Sequence, residues 1–200
     1  MDSEVAVAGC GIAGLETALR LERKGIEVAV VEPQDSTLFY PALHHLLAGR
    51  DVPEVSIDLE DKFQDREIHH VRERLTGMRP GENVMELEDG ELEFDQAVIA
   101  VGSVTSYGSI EGEGNVHDLR FRDDTEEIQE KLEEGDVERV AVVGGGATGV
   151  EATASLHDAS QELEEFTVTL LESSDRLLPQ FPEKMGRKVE KIYRNRGIDV

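Results

Sequence analysis

The apolar positions of this chain change period along its length. Residues 4–8 form a short, nearly continuous apolar run that reads as a buried strand. Residues 12–24 carry apolar side chains at helical spacing up to Gly25, and 27–32 are a second apolar run. Together these predict one βαβ unit. Pro33 interrupts the pattern, and PALHHLLAG (41–49) has the proline start and glycine stop of a short helix, with another short helix expected within 58–66. From 68 to 94 apolar and polar positions tend to alternate, with turn residues at Arg79-Pro80-Gly81 and Asp89-Gly90, which predicts an antiparallel meander. AVIAVGS (97–103) returns to an apolar strand ending on Gly102, where the missing side chain lets the backbone turn close to something bulky.

Residues 105–117 contain Gly108, Gly112 and Gly114 without any period, and the expected domain boundary falls there, giving domains 1–107 and 108–200. The first pattern then recurs. A helix is expected over 123–134, stopped at Gly135, followed by a strand at 139–143, a helix at 147–160 and a strand at 166–172. A basic amphipathic helix over 184–196 ends at Gly197, and 198–200 reads as the opening of another strand.

The two βαβ patterns carry the same turn. VAVAGCGIAGLE (5–16) and VAVVGGGATGVE (140–151) each place three glycines at G-x-G-x-x-G spacing between an apolar strand and a helix: Gly9, Gly11 and Gly14, then Gly144, Gly146 and Gly149. In such a turn the first glycine permits the tight bend, the second lets a pyrophosphate approach the backbone, and the third lets helix and strand pack closely. The helix N-terminus offers free N–H groups and partial positive charge to the phosphates. Each second strand ends on an acid, Glu32 after VAVV and Glu172 after VTLL. A carboxylate there accepts hydrogen bonds from the adenosine ribose hydroxyls and repels a 2′-phosphate. The pattern predicts two bound dinucleotides, and a flavin paired with a nicotinamide is the pairing between which hydride can pass. The expected fold class is α/β, with two Rossmann-type, doubly wound dinucleotide-binding domains, a β-meander in the first and the second incomplete. A doubly wound domain needs parallel strands beyond its first βαβ unit, so the chain is expected to be part of a longer protein.

Composition narrows the setting. Hydrophobic residues make up 38% of the chain and charged residues 32%, which suits packed cores. Asp and Glu number 44 against 20 Lys and Arg, a formal charge of −24. Self-repulsion on that scale is tolerated best under strong salt screening, so a halophilic, acidic-surfaced protein of a high-salt cytoplasm is expected. The same charge argues against nucleic acid or anionic lipid as a partner of this segment. Cys10 is the one cysteine, so an internal disulfide and a cysteine-rich metal site are both excluded, and a reducing compartment fits. The chain has no charged leader or apolar signal region and no apolar run of membrane-spanning length, and is expected to be soluble. His44 and His45 are adjacent in a short helix and should diverge by about a hundred degrees, and His69 and His70 should face opposite sides of a strand, so neither pair is expected to hold a metal.

The residues resemble a known family. GCGIAG near the N-terminus, a meander, AVIAVGS, and then VVGGGATGVEATASLHDA with VTLLESSDRLLPQFP are similar to the type II NADH dehydrogenases, FAD-dependent NADH:quinone oxidoreductases of the pyridine nucleotide-disulfide oxidoreductase superfamily. The resemblance spans this chain and about the first half of a family member. It implies FAD in the first site and NADH in the second, with electrons passing on to a membrane quinone. Gly9, Gly11, Ile12, Ala13, Gly14 and Glu32 would hold the FAD adenosine diphosphate, Leu75 would offer its backbone to the adenine, and Ala100 and Gly102 would lie near the flavin. Gly144, Gly146, Ala147, Thr148, Gly149 and Glu172 would hold NADH. Glu151 is the implied catalytic residue, orienting nicotinamide against flavin, although Glu16 holds the matching place in the first copy. Membrane contact is expected only through a C-terminal part beyond Val200, at the inner face of the cell membrane, and a homodimer is compatible with the resemblance. Reductases with a redox disulfide carry a C-x4-C pair after the first βαβ unit, which PALHHLLAGR lacks, and sulfide:quinone reductases need cysteines that this chain does not have. Two alternatives are a related FAD and NADH reductase with a soluble protein acceptor, and a nucleotide-binding sensor without turnover.

Overall fold

The computed structural model describes residues 2–49, 55–107, 116–120, 122–135, 137–163 and 166–200. The chain divides into two compact units, Met1–Phe39 with Glu54–Ser106, and Tyr40–Pro53 with Tyr107–Val200. Most of the glycine-rich stretch expected to mark a boundary, 108–115, lies outside the described residues.

The first unit opens with β1 (Asp2–Ala8), α1 (Ile12–Glu22), β2 (Val28–Val31) and β3 (Ser36–Leu38). The chain then passes through α2 (Leu43–Leu47), which belongs to the second unit, and returns at β4 (Ser56–Asp58). It continues through α3 (Leu59–Phe63), β5 (Ile68–Val71), β6 (Leu75–Arg79), β7 (Val84–Leu87) and β8 (Glu91–Ile99). One six-stranded sheet runs in the order β5-β2-β1-β8-β7-β6, parallel from β5 to β8 and antiparallel from there to β6. The two-residue period of β1 sorts its side chains between two cores. Val5 and Val7 pack with Leu15, Ala18 and Leu19 of α1, while Ala6 and Ala8 face the other way, against Met85, Leu92 and Phe94 of the meander. All four residues of β2 are buried, as a strand inside a parallel sheet requires.

Two sequence expectations are corrected here. The segment at 68–71 is no part of the meander; it is β5, paired parallel with β2 from Val28↔Ile68 to Val31↔Val71. The meander's last strand and the apolar strand expected at 97–103 are one element. Polar Asp95 and Gln96 suggest a break, but β8 is held on both sides, antiparallel to β7 through Glu93 and parallel to β1 from Glu93 to Ile99, so the ladder carries through them. It stops at Ile99, leaving Val101 and Val104 outside it and exposed. The antiparallel β3–β4 pair has no counterpart in the sequence reading.

The second unit contains a short 3-10 turn (Tyr40–Ala42), α2, α4 (Arg122–Glu133), β9 (Arg139–Val143), α5 (Ala147–Ser160), β10 (Thr167–Leu171) and α6 (Glu183–Arg196). The helix expected at 41–49 is thus split between the turn and α2. The sequence places it in an N-terminal domain, whereas its Leu47 packs with Leu132, Leu156 and Phe166, which ties 40–53 to this unit. β9 and β10 pair in parallel, and the strand expected at 198–200 is a single bridge, Thr169↔Asp199, with the Leu170 amide donating to the Asp199 carbonyl at 2.9 Å. Leu170, Leu177, Tyr193 and Ile198 form a second core cluster under α6. The Tyr193 hydroxyl donates to the Val150 carbonyl in the first turn of α5, and burial pushes its pKa up to about 12.

Candidate functional site

Each unit builds its own glycine turn at the C-terminal end of its first parallel strand, the place where doubly wound sheets receive ligands. In the first unit the Gly9 amide donates to the Val31 carbonyl at 2.8 Å, and Gly9 has φ +90°, a conformation that L side chains rarely adopt. A Cβ at Gly14 would lie 1.9 Å from the Gly9 carbonyl oxygen, so α1 can sit this close to β1 only with glycine there. Gly11 caps α1 in extended conformation with no side-chain cap, and a Cβ built on it meets nothing within 4 Å. The first-turn N–H groups of α1 have no intrahelical partners, and the space before them is open.

The second turn repeats this geometry. The Gly144 amide donates to the Leu171 carbonyl at 2.8 Å with φ +110°, and a Cβ at Gly149 would fall 1.7 Å from the Gly144 oxygen. Gly146 caps α5, again without a side-chain cap, and a Cβ on it would meet only Gln180 Nε2, at 3.3 Å.

Both strand-end acids do something the sequence does not announce. Glu32 Oε2 accepts from the Cys10 amide at 3.0 Å and Oε1 from the Gln34 amide at 3.2 Å. Glu172 Oε2 accepts from the Gly145 amide at 2.7 Å and Oε1 from the Ser174 amide at 2.7 Å. Cys10 and Gly145 are the residues between the first two glycines, so each carboxylate braces its own turn. The amides of Ser174 and Gly145 hold the Glu172 carboxyl below its ordinary value of 4.5. A carboxylate has about four lone-pair positions; Glu32 has two engaged and Glu172 three, the Ser173 hydroxyl donating to its Oε1 at 3.3 Å, so each keeps capacity for a ribose hydroxyl. The residues present fit an adenosine diphosphate at both turns.

The remaining candidates lie around these turns. Ile12 and Ala13 are exposed in the first turn of α1, and Ala147 and Thr148 occupy the same places in α5. Ala100 donates its amide to the Ala8 carbonyl at 2.7 Å, and its own carbonyl lies where a Cβ on Gly9 would fall. Gly102 is exposed with φ +75°. Leu75 opens β6, half-buried, beside a register shift in the β6–β7 ladder. Glu151 stands in the second turn of α5 with its side chain 52% exposed, and its Oε2 is 3.8 Å from His44 Nδ1 on α2. Glu16, its match in the first copy, pairs instead with Arg20 at 2.6 Å along its own helix. The sequence therefore shows two equivalent glutamates where the structure shows two different partners, and the His44 approach is visible only once α2 is docked on α5.

Cys10 is fully buried, and desolvation with the nearby Glu32 charge pushes its thiol up to about 12, so it holds its proton and serves packing. The His44 and His45 rings, expected to diverge, lie with centroids 4.1 Å apart and their planes tilted by 39°. His69 faces Glu27 at 3.5 Å, while His70 Nε2 bonds the Glu32 carbonyl at 2.9 Å. Among the described residues no group of three or more His, Cys, Asp or Glu side chains is gathered to hold a metal ion. Among them also no helix is long and apolar enough to cross a membrane. Sequence reasoning missed the 173–182 loop, where the Leu178 amide donates to the Gly145 carbonyl at 2.8 Å and Arg176 donates to the carbonyls of Pro179 and Phe181 at 2.5 and 2.9 Å. The RLLPQFP signature is the local sign of it.

Comparison with known proteins agrees with this arrangement. The chain is 27% identical over 233 residues to a probable NADH dehydrogenase of Dictyostelium discoideum, covering 100% of this chain and 52% of that protein. It is 28% identical over 250 residues to the type II NADH:quinone oxidoreductase of Haemophilus influenzae, covering 98% and 56%. The chain thus spans about half the length of these curated relatives. The structure of NDH2 from Plasmodium falciparum in complex with NADH superimposes with a TM-score of 0.86 at 21% identity, over 99% of this chain and 47% of that one, and so shares its fold. The family model described as pyridine nucleotide-disulphide oxidoreductase matches residues 3–200, and with two acid-braced glycine turns on parallel strands the chain belongs to that family.

Proposed function

We propose that this chain is the dinucleotide-binding part of an FAD-dependent NADH dehydrogenase that passes electrons to a membrane quinone at the inner face of the cell membrane. The observation that carries this reading is the duplicated, open, acid-braced glycine turn on two separate α/β units. Gly9 makes the tight bend, and Gly11 and Gly14, with Ile12 and Ala13, present backbone N–H groups to the FAD diphosphate, Glu32 takes its ribose hydroxyls, the Leu75 backbone meets the adenine, and Ala100 and Gly102 border the flavin. Gly144, Gly146 and Gly149, with Ala147 and Thr148, do the same for NADH, and Glu172 selects the unphosphorylated ribose. Glu151 orients the nicotinamide. Bound FAD supplies the acceptor for the hydride that NADH gives up. The protein's own contribution is position and fixed dipoles, which lower the barrier by removing the search for a reactive geometry.

The visible spectrum of the purified protein tests this. Loaded with FAD it is yellow, NADH under anaerobic conditions bleaches it, and added quinone restores the colour faster than a soluble redox protein does. NADH binding with no change in flavin absorbance refutes the proposal.

A further inference from the structure

The two glycine turns differ at their second glycine. At Gly11 a Cβ would meet nothing within 4 Å, whereas at Gly146 the Gln180 amide nitrogen stands 3.3 Å from that position. We infer that Gln180 is a positioning residue of the second site, whose side-chain amide donates a hydrogen bond to the dinucleotide's diphosphate over Gly146. The inference rests on the reading of this turn as the NADH site.

The loop that delivers Gln180 is fixed from several sides. Leu178 adopts φ +53°, costly for a residue with a Cβ, and such a conformation persists only where its surroundings over-determine it. Here its amide is tied to the Gly145 carbonyl and its side chain is buried. Leu177, also buried, passes so close to α6 that a Cβ at Gly186 would lie 2.3 Å from the Leu177 oxygen. Arg176 grips the carbonyls of Pro179 and Phe181, the residues on either side of Gln180. The backbone at Gln180 is thereby held, while its side chain is exposed and its amide has no hydrogen-bond partner among the described residues. An unengaged donor beside the second glycine lies where the pyrophosphate comes closest to the backbone. A neutral amide donating to a phosphate makes a charge-assisted hydrogen bond, stronger than a neutral pair.

FAD-loaded full chain, with its first site occupied and its flavin reduced beforehand with dithionite under anaerobic conditions so that added NADH is not consumed, provides the test. ADP and adenosine are each titrated as competitors of NADH, followed by NADH fluorescence. Gln180→Ala and Gln180→Leu are expected to weaken ADP and NADH binding by about tenfold. Adenosine, which lacks the diphosphate, keeps its affinity, and FAD retention and melting temperature stay unchanged. Gln180→Glu, which sets a negative charge against the phosphates, weakens ADP further. If ADP binds the Gln180→Ala variant as tightly as wild type or more tightly, the amide is a bystander or a plug and the inference is overturned. If FAD-loaded wild type binds neither NADH nor ADP, the reading of the second turn falls with it.

Discussion

Replacing Gly14 and Gly11 by alanine, one at a time, separates the packing role of the glycine turn from its binding role. At Gly14 the new Cβ would lie 1.9 Å from the Gly9 oxygen and 2.9 Å from its carbonyl carbon, both backbone atoms that cannot swing aside. Carbon–oxygen contacts settle near 3.3 Å, so α1 must retreat from β1 by more than about 1 Å. Leu15, Ala18 and Leu19 ride on that helix against Val5, Val7, Val28 and Val30 in a close-packed cluster that transmits the shift. Overpacking of this kind costs up to about 3 kcal/mol. Alanine's better helix propensity returns at most about 1 kcal/mol. The net loss of about 2 kcal/mol corresponds to a fall of roughly 4–8 °C in melting temperature for a chain of this size.

At Gly11 the balance reverses. The backbone is extended, the space is empty, and losing glycine as a cap costs about 1 kcal/mol or less, so the fold survives almost unchanged. The methyl group instead stands in the cradle, and FAD affinity measured by quenching of flavin fluorescence should fall at least about tenfold, or 1.4 kcal/mol. Melting curves of the apo proteins and FAD titrations of both variants check the crossed pattern. A Gly14→Ala protein that melts with wild type, or a Gly11→Ala protein that keeps FAD as tightly, refutes the geometric reasoning.

Three further outcomes are expected. Cys10, buried with its thiol pushed up to about 12, stays unlabelled by a disulfide-exchange reagent in native buffer and reacts on unfolding; prompt native labelling would show that the first turn is not packed as described. Glu172 has its folded pKa lowered by the Ser174 and Gly145 amides, so its stabilising contribution is complete above its ordinary value of 4.5 and is lost as pH falls through the lower folded value. Denaturant midpoints of Glu172→Gln should therefore lie below wild type at neutral pH and converge with it in acid, and a difference that persists or grows in acid would contradict the brace. With a formal charge of −24, the melting temperature should rise between low and molar KCl, and a flat or falling trend removes the halophilic expectation.

What the sequence made legible was local, and what it hid depended on pairing between distant segments. The glycine spacing, the fully apolar β2 and the stop signals at Gly25 and Gly197 act within a few residues, and the elements formed where they pointed. The histidines of β5 looked like the start of a meander because alternation does not say which neighbour a strand will take. The leucines of α2 looked like part of the first domain because an apolar stripe does not name the core it will join. The strand-end glutamates stand between these cases. Their positions follow from the pattern, but the bonds to the Cys10 and Gly145 amides span 22 and 27 residues and exist only because parallel pairing sets each strand end beside its neighbour's glycine turn. That register gives the acids a role before any ligand arrives. A turn already held open by its own carboxylate loses less conformational freedom on binding, so more of the interaction with a diphosphate remains as affinity. Replacing either acid therefore loosens the phosphate cradle and, on the proposed function, would remove a ribose contact with it, so the two losses should be coupled rather than additive.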